Sequence, residues 1–225
     1  MSVHYESVPL ATLYPEAFKV AAPDPAVEGE VWPRKPGVFI RKAEGVADPE
    51  QPLRELAAGQ FGLVPPWVKS ASDAKLRSTK LVNARSETVS TSNNFRDAWL
   101  GGRRCIVPMM AFFVDDWRSG RAVPTRIARV DGKPMGVAGL WERWTGAEGE
   151  VIVSYTVLTV NANNHALMHR YQQPGSEKRM PAVLNEGAYD AWLSAHPEKA
   201  REFMRAYPAN WLTANPVEKK LPKRL

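Results

Sequence analysis

Hydrophobic positions in this chain fall in short runs, not long stripes. The segments "VFIRK" (38–42), "FGLVP" (61–65), "CIVP" (105–108), "AFFV" (111–114), "PTRIARV" (124–130), "MGVAGLW" (135–141) and "VIVSYTVLTV" (151–160) are rich in β-branched or aromatic residues. They are bounded by Pro, Gly or charge, which predicts strands. Helical spacing shows in "PLRELAAGQ" (52–60), "NNFRDAWL" (93–100), "NNHALMHRY" (163–171), "EGAYDAWLSA" (186–195) and "EKAREFMRAY" (198–207). For 93–100, Ser92, Asn93 or Asn94 supplies a cap and Gly101-Gly102 a stop. Two polar stretches, 21–37 and 70–80, are predicted as surface loops, the second mobile. Strands follow one another in series instead of alternating with helices. The pattern predicts an α+β single domain over residues 1–225, with a mostly antiparallel, barrel-like sheet, peripheral helices and a basic tail from about 216 to 225.

Composition narrows the class. With 44% hydrophobic residues and 8 Trp in 225 positions the chain is globular. A single cysteine, Cys105, excludes an intrachain disulfide and reads as a small buried thiol within a strand. No apolar run approaches 18 residues and the start lacks a basic-then-apolar signal, so no membrane span is expected and a reducing cytoplasm is the expected compartment. The net charge of +6 is unevenly placed: residues 61–130 hold 12 Lys/Arg against 5 Asp/Glu. A localised basic excess points to a polyanionic partner.

Chemistry concentrates in "KLVNARSETV" (80–89), where Leu81-Val82 runs into Asn83, Arg85, Ser86, Glu87 and Thr88. Read locally, Ser86 or Thr88 caps a helix and Arg85 with Glu87 forms a solvated pair; the segment alone leaves open whether it does more. Three further readings compete. His165 and His169, four apart, share a helix face with Glu177 as a third metal ligand, but Ala166 stands where a zincin needs its glutamate base, so no metal is expected. Ser2 near His4 suggests a serine nucleophile without a marked acid. A partner-binding module that does not touch nucleic acid is the third, and the basic middle third argues against it.

Seven pieces occur in a fixed order: "FGLVPPW" (61–67), "NARSET" (83–88), "FRDAW" (95–99), "RRCIVP" (103–108), "AGLWERW" (138–144), "TVLTVNAN" (156–163) and "EKRMPAVL" (177–184). In this order they resemble the SRAP family, the SOS-response-associated peptidase or abasic-site processing proteins, over residues 1 to about 195. The resemblance implies a basic cleft for single-stranded DNA and its junctions with duplex, no cofactor, and a monomer. It also implies a covalent reaction. In the family a cysteine at position 2, exposed by removal of the initiator Met, attacks the aldehyde of an abasic site with its α-amine and closes a thiazolidine with its thiol. A glutamate, a histidine and the Asn of the NAR motif complete that site. An α-amine with a pKa near 7.7–8.0 and a thiol near 8.5 suit that chemistry.

Transferred residue by residue, the resemblance gives Asn83 a place near the sugar of the bound nucleotide and Arg85 a backbone phosphate. Glu87 would orient Arg85 or a neighbouring backbone group rather than touch DNA. Trp67 would stack on a base or wedge a junction unless it packs in the core, and Arg103 and Arg104 would flank a strand with one facing phosphates. The chain departs from the pattern at three positions of the covalent site and at one outside it. Ser2 occupies the cysteine position. Val114 occupies the glutamate position, with Asp116 the displaced substitute on the same strand face and Asp115 on the opposite one. Gln172 or, with a different gap, Glu177 stands at the histidine position, and His169 does so if the register slips. Phe61 replaces the usual tryptophan. The expected outcome is a DNA-binding member whose crosslinking is lost or weakened.

Overall fold

The computed structural model describes residues 3–45, 50 and 53–217. Its strands, in chain order, are β1 (Tyr5–Glu6), β2 (Glu30–Val31), β3 (Pro36–Lys42), β4 (Arg54–Phe61), β5 (Asn83–Arg85), β6 (Arg104–Met109), β7 (Ala111–Asp116), β8 (Val123–Arg129), β9 (Met135–Thr145), β10 (Val151–Asn161), β11 (Arg179–Pro181), β12 (Val183–Leu184) and β13 (Leu212–Pro216). Its α-helices are α1 (Ala71–Ser78), α2 (Arg96–Leu100), α3 (Tyr189–Ser194) and α4 (Pro197–Ala200). The strands β10-β4-β3-β6-β9 pair in that order, and β9 pairs back onto β10, which closes a five-stranded barrel. Only the β10–β4 junction of that barrel is parallel. The NAR strand β5 runs parallel to the far end of β10, with Asn83 opposite Val157 and Arg85 opposite Thr159. The Arg-Met-Pro strand β11 runs antiparallel to that same end. A second, antiparallel sheet has the order β13-β8-β7-β1-β2. The α+β, mostly antiparallel, barrel-like reading therefore matches the structure.

Aromatic packing joins the layers. Tyr155 of β10 is fully buried and packs on Phe39 and Phe61, and its hydroxyl meets that of Tyr5 in β1 at 2.6 Å. The first described residues are thus pinned against the barrel. Trp192 of α3 is fully buried and donates its indole N–H to the Cys105 carbonyl at 2.8 Å, which seats α3 on β6. Cys105 is itself fully buried, in line with its sequence reading.

Several local expectations fail for identifiable reasons. Residues 54–61 form β4, not a helix, because seven successive pairings with β3, from Pro36–Gln60 to Lys42–Arg54, override the helix propensity of Leu, Glu and Ala. The 70–80 loop contains α1: Ser70 caps it, accepting from the Asp73 amide at 3.1 Å, and Arg77 pairs with Asp73 four residues earlier. At 163–171 only a 3-10 turn, Met168–Arg170, forms, since the His165 ring takes the Leu167 and Met168 amides. Residues 198–207 yield little beyond α4 and one 3-10 turn. The loop at 21–37 is interrupted by β2 and ends in β3. Most of the basic tail, 218–225, lies outside the described residues.

The "FGLVP" run stops being a strand at Gly62, whose φ is +115°. A Cβ there would lie 2.3 Å from the Ser78 carbonyl oxygen at the end of α1. Gly62→Ala combines that clash with a disfavoured φ and is expected to cost about 2 kcal/mol. Urea unfolding measures it; an unchanged midpoint would contradict the close approach.

Candidate nucleic-acid interface

A cleft of about 630 Å³ opens where the second sheet meets the far end of β10. Its wall includes His4, Trp32, Val114, Asp115, Gln172 and Glu177. The elements explain the gathering. His4 stands just before β1, Trp32 just after β2, and β7 brings Val114 and Asp115. The turn before β11 brings Gln172 and Glu177. Asn83 and His4 line an adjoining narrow recess with Phe61 and Pro181.

Charge in the cleft forms one network. Arg179 is buried and forks onto both oxygens of Glu87 at 2.9 and 2.8 Å. It also reaches Glu177 at 3.0 Å, the Thr159 carbonyl at 2.9 Å and the Thr159 hydroxyl at 3.0 Å. Glu177 accepts from Arg85 at 2.6 Å and from Asn161 at 2.8 Å. The Arg85 hydrogen bond, followed by that of Asn161, pulls the Glu177 carboxyl down to about 2. Glu87 is also lowered: partial burial pushes it up, but the Arg179 hydrogen bonds and charge outweigh that. Arg85 keeps a side chain 52% exposed at the rim. A guanidinium in that position can trade a carboxylate for a phosphate oxygen.

The sequence-derived candidates separate accordingly. Asn83, Arg85, Glu87, Gln172 and Glu177 come together. Glu87, however, holds Arg179; it is Glu177 that pairs with Arg85. Gln172 has its backbone at φ +69° and spans the Arg179 main chain with its amide, donating to the carbonyl and accepting from the N–H. An amide so placed fixes the loop and transfers no proton at neutral pH. Asp116 is not in the cleft. It accepts from the Arg118 backbone N–H at 2.9 Å and from the Arg118 guanidinium at 2.7 Å, in a depression beside Tyr171 and Thr125. That local turn draws it aside and leaves Asp115 as the β7 carboxylate that lines the cleft. Val114 is buried.

Trp67, 42% exposed, is not a core residue; it donates to the Asn93 carbonyl at 3.1 Å, and Arg77 covers its ring at 4.8 Å. It does not line the cleft. Neither do the paired arginines. Arg103 pairs with Glu142, and Arg104 is buried, donating to the Trp192 carbonyl at 2.9 Å, because α3 covers that end of β6. The basic excess of the middle third is correspondingly reduced: Arg77, Arg85, Arg103, Arg118, Arg126 and Arg129 are in ion pairs. His165 has no lone pair for a metal, because Nδ1 accepts two backbone N–H groups and Nε2 faces the Tyr207 carbonyl at 2.6 Å. Ser2 lies outside the described residues.

Sequence reasoning missed Arg179, the hub of the network, although it was quoted within "EKRMP"; its signal was a charge inside an otherwise apolar strand motif. It also passed over Trp32.

A chain from Bordetella bronchiseptica of solved structure superposes with a TM-score of 0.87 at 41% identity, covering 97% of this chain and 100% of that one. One from Bacteroides thetaiotaomicron has the same fold, with a TM-score of 0.83 at 19% identity over 100% of this chain and 95% of that one. The abasic site processing protein YoqW of Bacillus subtilis is 30% identical over 70% of this chain and 67% of its own length. The abasic site processing protein HMCES of Gallus gallus is 26% identical over 80% of this chain, which spans only 57% of that longer protein. The model of the SOS response associated peptidase family matches residues 7–224, and the chain belongs to that family, SRAP.

Proposed function

We propose that this protein binds single-stranded DNA, with or without an abasic site, in the cleft between β7, β10 and β11, and that it does so without forming the stable crosslink of its family. The observation that carries the reading is the composition of that cleft. Glu177 and Arg179 line it, Glu177 pairs with a half-exposed Arg85 at its rim, and Asn83 lines the adjoining recess, while we assign Val114 and Gln172 on its wall to the positions of the family's acid and imidazole. Arg85 takes a phosphate and Asn83 the adjoining sugar. Asp115 is the β7 carboxylate on the cleft wall, one residue after the position we assign to the family's glutamate.

The thiol has no substitute. Cys105 is fully buried, and desolvation pushes its pKa well up, so no thiolate is available to trap an imine. Once Met1 is removed, Ser2 offers only an α-amine for a reversible imine, formed from the aldehyde with loss of water, and a hydroxyl that traps it poorly.

Incubation with single-stranded DNA carrying one abasic site, followed by a denaturing gel, tests this. The expected result is no heat-stable band in the absence of borohydride, alongside non-covalent binding whose log affinity falls linearly with log salt. A heat-stable band without reductant would overturn the loss of crosslinking, and a flat salt dependence would overturn the DNA reading.

A further inference from the structure

One feature of the cleft lies outside the roles above: a column of three aromatic rings. His4 lies flat against Trp32, with ring centroids 3.8 Å apart and planes 7° apart, and against Phe113 on its other side at 4.5 Å and 16°. Phe113 is buried, whereas Trp32 is 44% exposed and lines the cleft. His4 covers one face of the indole, so the exposure falls on its other face and its edges.

The turn that carries Trp32 is fixed. The Lys35 amide donates to the Trp32 carbonyl at 3.0 Å, and the Arg34 amide donates to the Phe61 carbonyl at 2.7 Å. Arg34 and Lys35, two and three residues on in the same turn, are both exposed. Burial lowers the His4 pKa against the opposing pull of Glu30 and Asp115, so the column stacks as three uncharged rings at neutral pH.

We infer that the open face of Trp32 is a stacking site for one nucleobase of the bound strand, a conclusion that rests on the DNA reading above and gives its cleft a base as well as phosphates. A flat indole with basic residues in its own turn suits sequence-tolerant binding of single strands, because every base has a π face and each base carries a phosphate. An aliphatic or uncharged peptide partner would gain little from the exposed Arg34 and Lys35 of that turn. Because the turn and the stack beneath it are already ordered, binding there loses little conformational freedom.

The test uses the full chain and short single-stranded oligonucleotides in which one base at a time is 2-aminopurine. The expected result is quenching of that base at one position or two adjacent ones on binding. Trp32→Leu abolishes the quench and weakens binding about tenfold, with the slope of log affinity against log salt unchanged. Trp32→Phe keeps most of both effects. Thermal unfolding of each variant shows whether the fold is retained, and Trp32→Phe carries the test if the leucine variant does not fold. Salt-dependent binding by the wild type with no quench at any position overturns the base site and leaves the DNA reading standing, as does Trp32→Leu quenching like the wild type. Absence of salt-dependent binding removes both.

Discussion

Replacing Arg179 with methionine is expected to lower stability by about 3 kcal/mol, which for a chain of this length moves the thermal midpoint down by roughly 10 °C. The guanidinium is buried and satisfies Glu87, Glu177 and Thr159 together. Methionine fills much of the space but leaves two carboxylates facing each other and a buried Thr159 carbonyl without that donor. The exposure of the two glutamates keeps the figure at the low end for a broken buried pair, because solvent screens part of their repulsion.

The same network sets an acid limit. Both glutamates have folded pKa values below the unfolded carboxylate value of 4.5. Groups depressed in this way contribute stability that is fully present above 4.5 and is lost as pH falls toward the folded value, about 2 for Glu177. Urea midpoints for the wild type should therefore drop between pH 5 and pH 2. Arg179→Met should start lower at pH 7 and lose less over that interval. A variant that loses as much as the wild type would place the acid sensitivity elsewhere in the chain.

The fold class was legible because the strand runs are short, β-branched and serial, and those signals survive whatever the strands pair with. Residues 54–61 were not legible, because "RELAAGQF" has helix-forming side chains and becomes a strand only through its register with β3. Helix α1 was legible in principle, from Ser70 three residues before Asp73, but the polar composition of the segment hid it. The site shows the same division. Asn83 and Arg85 could be singled out because the motif carries them. Asp116 was misplaced because strand alternation was trusted at the last residue of β7, whose carboxylate is captured by Arg118 of the following turn. The Glu87–Arg85 pairing was inferred from proximity in sequence, whereas Glu177 reaches Arg85 and Glu87 reaches Arg179 across 92 residues. Side chains brought together by β5 and β11 on one end of β10 leave no trace in local spacing.

Arg85→Ala is expected to weaken binding of a single-stranded oligonucleotide about thirtyfold at low salt, the loss of a charge-assisted phosphate contact. The salt slope should become shallower by about 0.7, the value of one phosphate contact on a single strand. Glu177→Gln should act in the opposite direction. In the unbound protein the Glu177 carboxylate occupies the Arg85 guanidinium at 2.6 Å. With its carboxyl held down to about 2, Glu177 stays charged at every physiological pH and competes with phosphate throughout. The competition favours DNA because the Arg85–Glu177 pair is exposed and screened, while a phosphate brings a full charge together with its neighbours along the strand. Removing the carboxylate charge while keeping its shape should raise affinity several-fold. The gain should shrink in an Arg85→Ala background, where there is no guanidinium to release. Filter binding or fluorescence anisotropy across a salt series reads all four proteins. A Glu177→Gln variant that binds more weakly than the wild type would mean that Glu177 holds Arg85 in its binding pose instead of competing for it, and an additive double variant would mean that the two residues act on DNA independently.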